Sequence, residues 1–118
     1  MATHKELDVW KDSITFVTNI YKLTADFPKV EQFGLVSQMT RAAVSISSNI
    51  AEGAARGTNK EYVYFLNISI GSLSELETQI LISHNLGYIN SVEILKDLEK
   101  IQSKLYKLRN YLKSKIKA

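Results

Sequence analysis

The side chains best suited to catalysis are scarce in this 118-residue chain: it has two histidines, His4 and His84, and no cysteine. Without thiolates there is no disulfide framework, thiolate zinc site, iron–sulfur cluster or cysteine nucleophile. A di-metal carboxylate site in a helix bundle needs two Glu-x-x-His motifs, because i, i+3 spacing sets carboxylate and imidazole on one inward face. Here Leu81, not a glutamate, stands three residues before His84. His84 falls near the end of a helical stretch, where an imidazolium meets the helix dipole favourably, and His4 lies near the N-terminus. No metal or other cofactor is expected. Ser45, Ser47, Ser48 and Asn49 supply hydroxyls and an amide, yet neither histidine is near in sequence and no glycine elbow surrounds a serine. Close packing and hydrogen bonding to neighbouring helices are their simpler use. Glu52, Glu61, Glu75 and Glu77 form an acid–base pair only if the fold gathers them; a buried Arg41 paired with a glutamate is the plainer expectation. The run Glu52-Gly53-Ala54-Ala55-Arg56-Gly57 lacks the phosphate-loop pattern and follows no strand, so its glycines are assigned to a turn. No catalytic residue is assigned, and the chain reads as a non-enzyme.

Nucleic-acid binding is the chemistry that the charges favour. Residues 91–118 hold eight basic residues (Lys96, Lys100, Lys104, Lys107, Arg109, Lys113, Lys115 and Lys117) against Glu93, Asp97 and Glu99, a net +5. Residues 1–90 hold seven basic and nine acidic residues, a net −2. A chain polarised in this way suits an anionic partner such as RNA or DNA, although a lysine-rich face also serves solubility. Tyr62, Tyr64 and Phe65 beside Arg56 and Lys60 could stack on bases, but aromatic residues at helical spacing more often build a core.

Four helical segments must position these groups. The first is expected to open at Thr3, with Glu6 completing a capping box, and to close at Phe27-Pro28. It carries two apolar stripes: Leu7, Trp10, Ile14, Val17 and Tyr21, and Val9, Phe16, Ile20, Leu23 and Phe27. At roughly 100° per residue the stripes lie about 120° apart. One bundle core needs one stripe, so the surplus face calls for another subunit. The second segment starts near Phe33 and repeats Val36, Met39, Ala43, Ile46 and Ile50. It has no charge from Ala42 to Ala51, which places it centrally. Arg41, Ser45, Ser48 or Asn49, Glu52 and Arg56 form a polar line along it, with Glu52 and Arg56 paired if helix continues past Gly53.

The third segment opens on the capping box Thr58-Asn59-Lys60-Glu61, and Gly87 sits where a left-handed C-terminal cap belongs. Its Ser69, Gly71, Ser72 and Ser74 form a zone where another helix backbone could approach. The fourth, capped by Asn90 and Glu93, has a single stripe: Ile94, Leu98, Ile101, Leu105, Leu108, Leu112 and Ile116. It is therefore the outermost helix, with Lys96, Lys100 and Lys107 opposite the stripe and Lys104 at its margin. An all-α, up-down-up-down antiparallel four-helix bundle spanning residues 1–118 as one domain follows. With neither a signal peptide nor a membrane-length apolar span, the reading is cytoplasmic, with no membrane partner.

The run from Gln38 through Met39-Thr40-Arg41-Ala42-Ala43-Val44-Ser45-Ile46-Ser47-Ser48-Asn49-Ile50-Ala51-Glu52 to Gly53, with Phe65 through Thr78, resembles the bacterial four-helix-bundle proteins encoded within intervening sequences of large-subunit ribosomal RNA genes. Leu7-Asp8-Val9-Trp10 and Phe27-Pro28 fit as well, so the resemblance covers nearly the whole chain. Ser47 and Ala54 depart from the proline and aromatic that many relatives carry there. The resemblance implies a left-handed bundle assembled into a homopentameric ring, in a family sometimes labelled ribosomal. The chain is also similar to the accessory variability protein of diversity-generating retroelements, which implies nucleic acid or a polymerase such as a reverse transcriptase as partner. Arg41, Asn49, Glu52, Arg56, Glu61, Gly71, Glu75 and Glu77 match the shared motif; with Ser45 they are expected to serve the bundle and its subunit contacts.

Overall fold

The computed structural model describes His4 and residues 7–116. Its helices are α1 (Asp8–Thr24), α2 (Leu35–Ala55), α3 (Asn59–Asn85) and α4 (Val92–Ser114), with a short 3-10 turn at Lys29–Glu31. Consecutive helices pack side by side and α4 returns to α1, giving an all-α four-helix bundle 49 Å long. Phe16 and Ile20 of α1, Ile46 and Ile50 of α2, Leu73 and Ile80 of α3, and Leu98 and Leu105 of α4 fill one continuous buried core.

α1 uses its two stripes differently. Val9, Phe16 and Ile20 enter the core with Ser13 between them, whereas Ile14 and Tyr21 of the other stripe remain 42% and 52% exposed. The helix is shorter than expected at both ends. It begins at Asp8 behind Leu7, which makes no side-chain cap, and the capping box expected at Thr3 and Glu6 lies outside the described residues. It stops at Thr24, whose hydroxyl turns back onto the Ile20 and Tyr21 carbonyls at 2.9 and 3.3 Å. The chain then unwinds so that Phe27 packs against Tyr88, ring centroids 5.2 Å apart. Phe33, expected to open the second helix, stands outside it and 90% exposed; α2 starts one residue after Gly34, at Leu35.

The tightest seam lies between α2 and α3, where small side chains let the backbones approach. The Ser69 hydroxyl donates to the Ile46 carbonyl at 2.9 Å and Ser72 donates to Ser45 at 2.9 Å. Toward one end of this seam Ser83 lies on Met39; at the other, Gly53 lies under Tyr62 and Phe65, so the two helices run antiparallel. Gly53 is therefore not a turn residue. It is buried inside α2, and a Cβ there would stand 3.0 Å from Phe65 Cβ and 3.2 Å from the Tyr62 carbonyl oxygen. The expected small-residue zone on α3 divides: Ser69 and Ser72 face α2, while Gly71 is exposed with open space beside it.

The helix ends follow local rules. Thr58 Oγ1 accepts from Glu61 N and donates to Glu61 Oε1, both at 3.1 Å, so Thr58 caps α3 as expected while Glu61 answers its hydroxyl and not its backbone N–H. At the other end Gly87 takes φ +80°, Gly87 N donates to His84 O and Tyr88 N to Ser83 O. That pair of bonds is a Schellman ending. For α4, Asn90 Oδ1 accepts from Val92 N at 3.3 Å, but Glu93 does not complete a box and instead approaches Lys96.

Candidate nucleic-acid interface

Burial of Ile94, Leu98, Ile101, Leu105 and Leu112 along one line of α4 turns most of its circumference to solvent. Lys96, Lys100 and Lys107 project there, all exposed. Lys104 stands at the edge facing α1, where its ammonium pairs with Asp12. The hydrogen bond that it donates to Asp12 raises its pKa above the usual lysine value; partial desolvation opposes this, and the charges of Asp12 and Asp8 reinforce it. Lys96 Nζ lies 3.8 Å from Glu93. Arg109 turns the other way, toward α3: Nη1 donates to Asn67 Oδ1 at 3.1 Å, and the guanidinium lies 4.9 Å from the Tyr106 ring centroid. Lys113 is exposed one turn beyond it. Lys115 covers Tyr111 at 5.2 Å, and Lys117 lies outside the described residues.

The eight sequence candidates therefore do not share one face. Lys96, Lys100, Lys104 and Lys107 occupy the outer and α1 sides of α4; Arg109 and Lys113 belong to a second surface made with α3. Tyr64, which the sequence already offered for base stacking, lies on that second surface with Asn67 and Tyr106, which it did not single out. Tyr64 falls outside the Tyr62, Leu66, Ser69, Leu73 spacing and is 62% exposed, whereas Tyr62 and Phe65 are half-buried. Burial raises the Tyr62 pKa.

The motif residues sort by what they touch. Asn49 Nδ2 donates to the Ser45 carbonyl at 2.8 Å and to its hydroxyl at 3.0 Å. Arg56 reaches Glu52 at 3.5 Å and Glu61 at 3.7 Å, and lies 4.9 Å from the Phe65 ring centroid, tying the end of α2 to the start of α3. Arg41 differs from expectation: it is exposed, at a position of α2 turned from the core, and pairs with no carboxylate among the described residues. Glu75 is exposed and accepts from Gln79 Nε2 at 3.2 Å; Glu77 is half-buried.

A groove of about 330 Å³ between α1 and α4 is lined by Asp12, Thr15, Asn19, Asp97, Lys100 and Lys104, which brings mixed charge together. His84 is exposed near the far end of α3 from Ser45. Among the described residues no three His, Cys, Asp or Glu side chains gather to hold a metal, and no helix is long and apolar enough to cross a membrane.

Residues 5–113 match the family model described as 23S rRNA-intervening sequence protein. No curated protein matches the chain. Among solved structures, a protein of unknown function from the S23 ribosomal protein family of Bacteroides thetaiotaomicron shares the fold with a TM-score of 0.63 at 24% identity, over 93% of this chain and 99% of that one.

Proposed function

We propose, for a chain that belongs to the 23S rRNA-intervening sequence protein family, a non-enzymatic homo-oligomeric scaffold that binds nucleic acid through basic surfaces without reading sequence. The observation that carries this reading is the uncompensated charge of α4. After Glu99 the helix has no acid, and Lys100, Lys107, Arg109, Lys113 and Lys115 form no ion pair among the described residues. Mobile surface cations of this kind neutralise phosphates and release counterions, an interaction indifferent to base identity. Ile14 and Tyr21, exposed on α1, support self-association, and the family resemblance suggests five subunits. Repetition around a ring multiplies a weak patch by raising its effective concentration along a polyanion.

Light scattering coupled to size exclusion, run alone and with a short mixed-sequence RNA at low and moderate salt, tests this directly. The expected result is a mass near five subunits that shifts with RNA at low salt. Charge reversal at Lys104, Lys107, Lys113 and Lys115 should abolish that shift; binding that ignores both salt and reversal would defeat the proposal. A second reading, a module that recruits a protein such as a polymerase, is favoured by Val30 and Phe33, which stand almost fully exposed on the α1–α2 connection. It requires a partner retained after nuclease treatment and after lysine reversal, and lost on Phe33→Ser.

A further inference from the structure

We propose that the surface shared by the N-terminal half of α3 and the C-terminal half of α4 is a stacking platform for single-stranded nucleic acid, with Tyr64 and Tyr106 taking unpaired bases and Lys60, Arg109 and Lys113 holding the phosphates. This rests on the nucleic-acid reading above and adds strandedness and a place to it.

Cations and rings lie along a band that runs from Arg56, just past the end of α2, across α3 to α4. The Arg56 guanidinium lies over the Phe65 ring at 4.9 Å, and Phe65 meets Tyr64 edge-on, centroids 5.1 Å apart at 90°. Asn67, one turn beyond Tyr64, receives Arg109 across the α3–α4 seam, and Arg109 lies over Tyr106 at 4.9 Å. The two tyrosines are 62% and 37% exposed, so their rings are not spent on the core.

Charge selects the occupant. α3 has no acid between Glu61 and Glu75 and α4 has none after Glu99, and the Asn67–Arg109 bond sets these two stretches side by side. Glu61, the carboxylate at the edge of the band, is already engaged by Arg56 and Thr58. A polyanion is complementary to such a surface. A two-fold contact between copies through it would set Arg109 and Lys113 against their own counterparts. A duplex hides its base faces and would use the cations alone, whereas a single strand offers base faces to the rings as well as phosphates to the cations; base–aromatic stacking tolerates any sequence.

The test is fluorescence anisotropy with a labelled single-stranded RNA of about 12 nucleotides and with the same strand annealed to its complement, at one salt concentration. Wild-type protein should prefer the single strand. Tyr64→Ala with Tyr106→Ala should weaken single-strand binding at least about tenfold, leave duplex binding within about twofold, and leave the light-scattering mass unchanged. Tyr64→Phe should retain single-strand binding, because stacking needs the ring and not the hydroxyl. Equal loss for both probes, no loss for either, or a change of mass with unchanged affinity would overturn the platform. If wild-type protein binds both probes and ignores the tyrosine changes, and a repeat at higher salt weakens both, the platform fails and the basic scaffold stands. If it binds neither, both fail.

Discussion

Two glycines inside helices behave as opposites because of what stands next to them. Replacing a helical glycine by alanine ordinarily stabilises by about 0.5–1 kcal/mol. At Gly71 the new methyl group meets nothing, so Gly71→Ala should raise the unfolding free energy by that amount in urea titration. At Gly53 it would press on the Tyr62 carbonyl oxygen, which cannot swing aside as a side-chain tip would. Overpacking of this kind costs about 1–3 kcal/mol, so Gly53→Ala should be destabilising, by up to about 2 kcal/mol in the same measurement. Tyr88 gives a pH-dependent case. Its hydroxyl donates to Glu31 Oε2 at 2.9 Å, and that bond, then burial, then the Glu31 charge raise the phenol above its ordinary value near 10. The folded state therefore favours the protonated phenol. Its contribution is complete below pH 10 and is lost as pH rises through the higher folded value. The expected result is that Tyr88→Phe lowers the melting temperature at pH 8, and that the gap from wild type closes in melts at increasing pH above 10.

At the scale of helices, the serine seam fixes how closely α2 and α3 lie. Ser69 is fully buried and spends its hydroxyl on the Ile46 carbonyl, so Ser69→Ala should cost about 1 kcal/mol and Ser69→Leu, which must push the backbones apart, about 3 kcal/mol or more in chemical unfolding. The four helices were legible because their apolar residues recur every three or four positions, and because Thr58 and Gly87 carry cap chemistry that needs no tertiary partner. The seam was legible only as a zone. Ser69, Gly71, Ser72 and Ser74 are all small, and size alone does not say that two face α2 while Gly71 faces out. Helix ends were less legible: Phe27 buries as its stripe implied, but against Tyr88 beyond the end of α1 at Thr24, and Phe33 stands outside α2. The candidate site was half legible. Counting lysines found the charge of α4, but α3 is apolar around much of its circumference, so Tyr64 looked like core until α2 and α4 were seen to occupy its other sides.

Across the whole molecule, the exposed apolar residues of α1 and the cations of α4 lie on different helices, and the proposed assembly rests on the first as the proposed binding rests on the second. Ile14 and Tyr21, two turns apart on α1, are exposed, while Trp10 and Val17 of the same stripe are half-buried against the core that the other stripe completes. In the proposed oligomer these two side chains are where a second copy, the partner always present at matching concentration, would cover apolar surface. Because Ile14 and Tyr21 are the exposed members, Ile14→Lys with Tyr21→Lys should separate subunits without opening the bundle. The expected result is a light-scattering mass of one chain with unchanged far-ultraviolet circular dichroism, and an unfolding midpoint that no longer rises with protein concentration as it should in the wild type. Loss of helicity would instead make these two residues core, and an unchanged mass would place self-association on another face. Since a dispersed ring forfeits its multiplied contacts, the single-chain variant should also bind RNA more weakly at equal subunit concentration, although every lysine of α4 is retained.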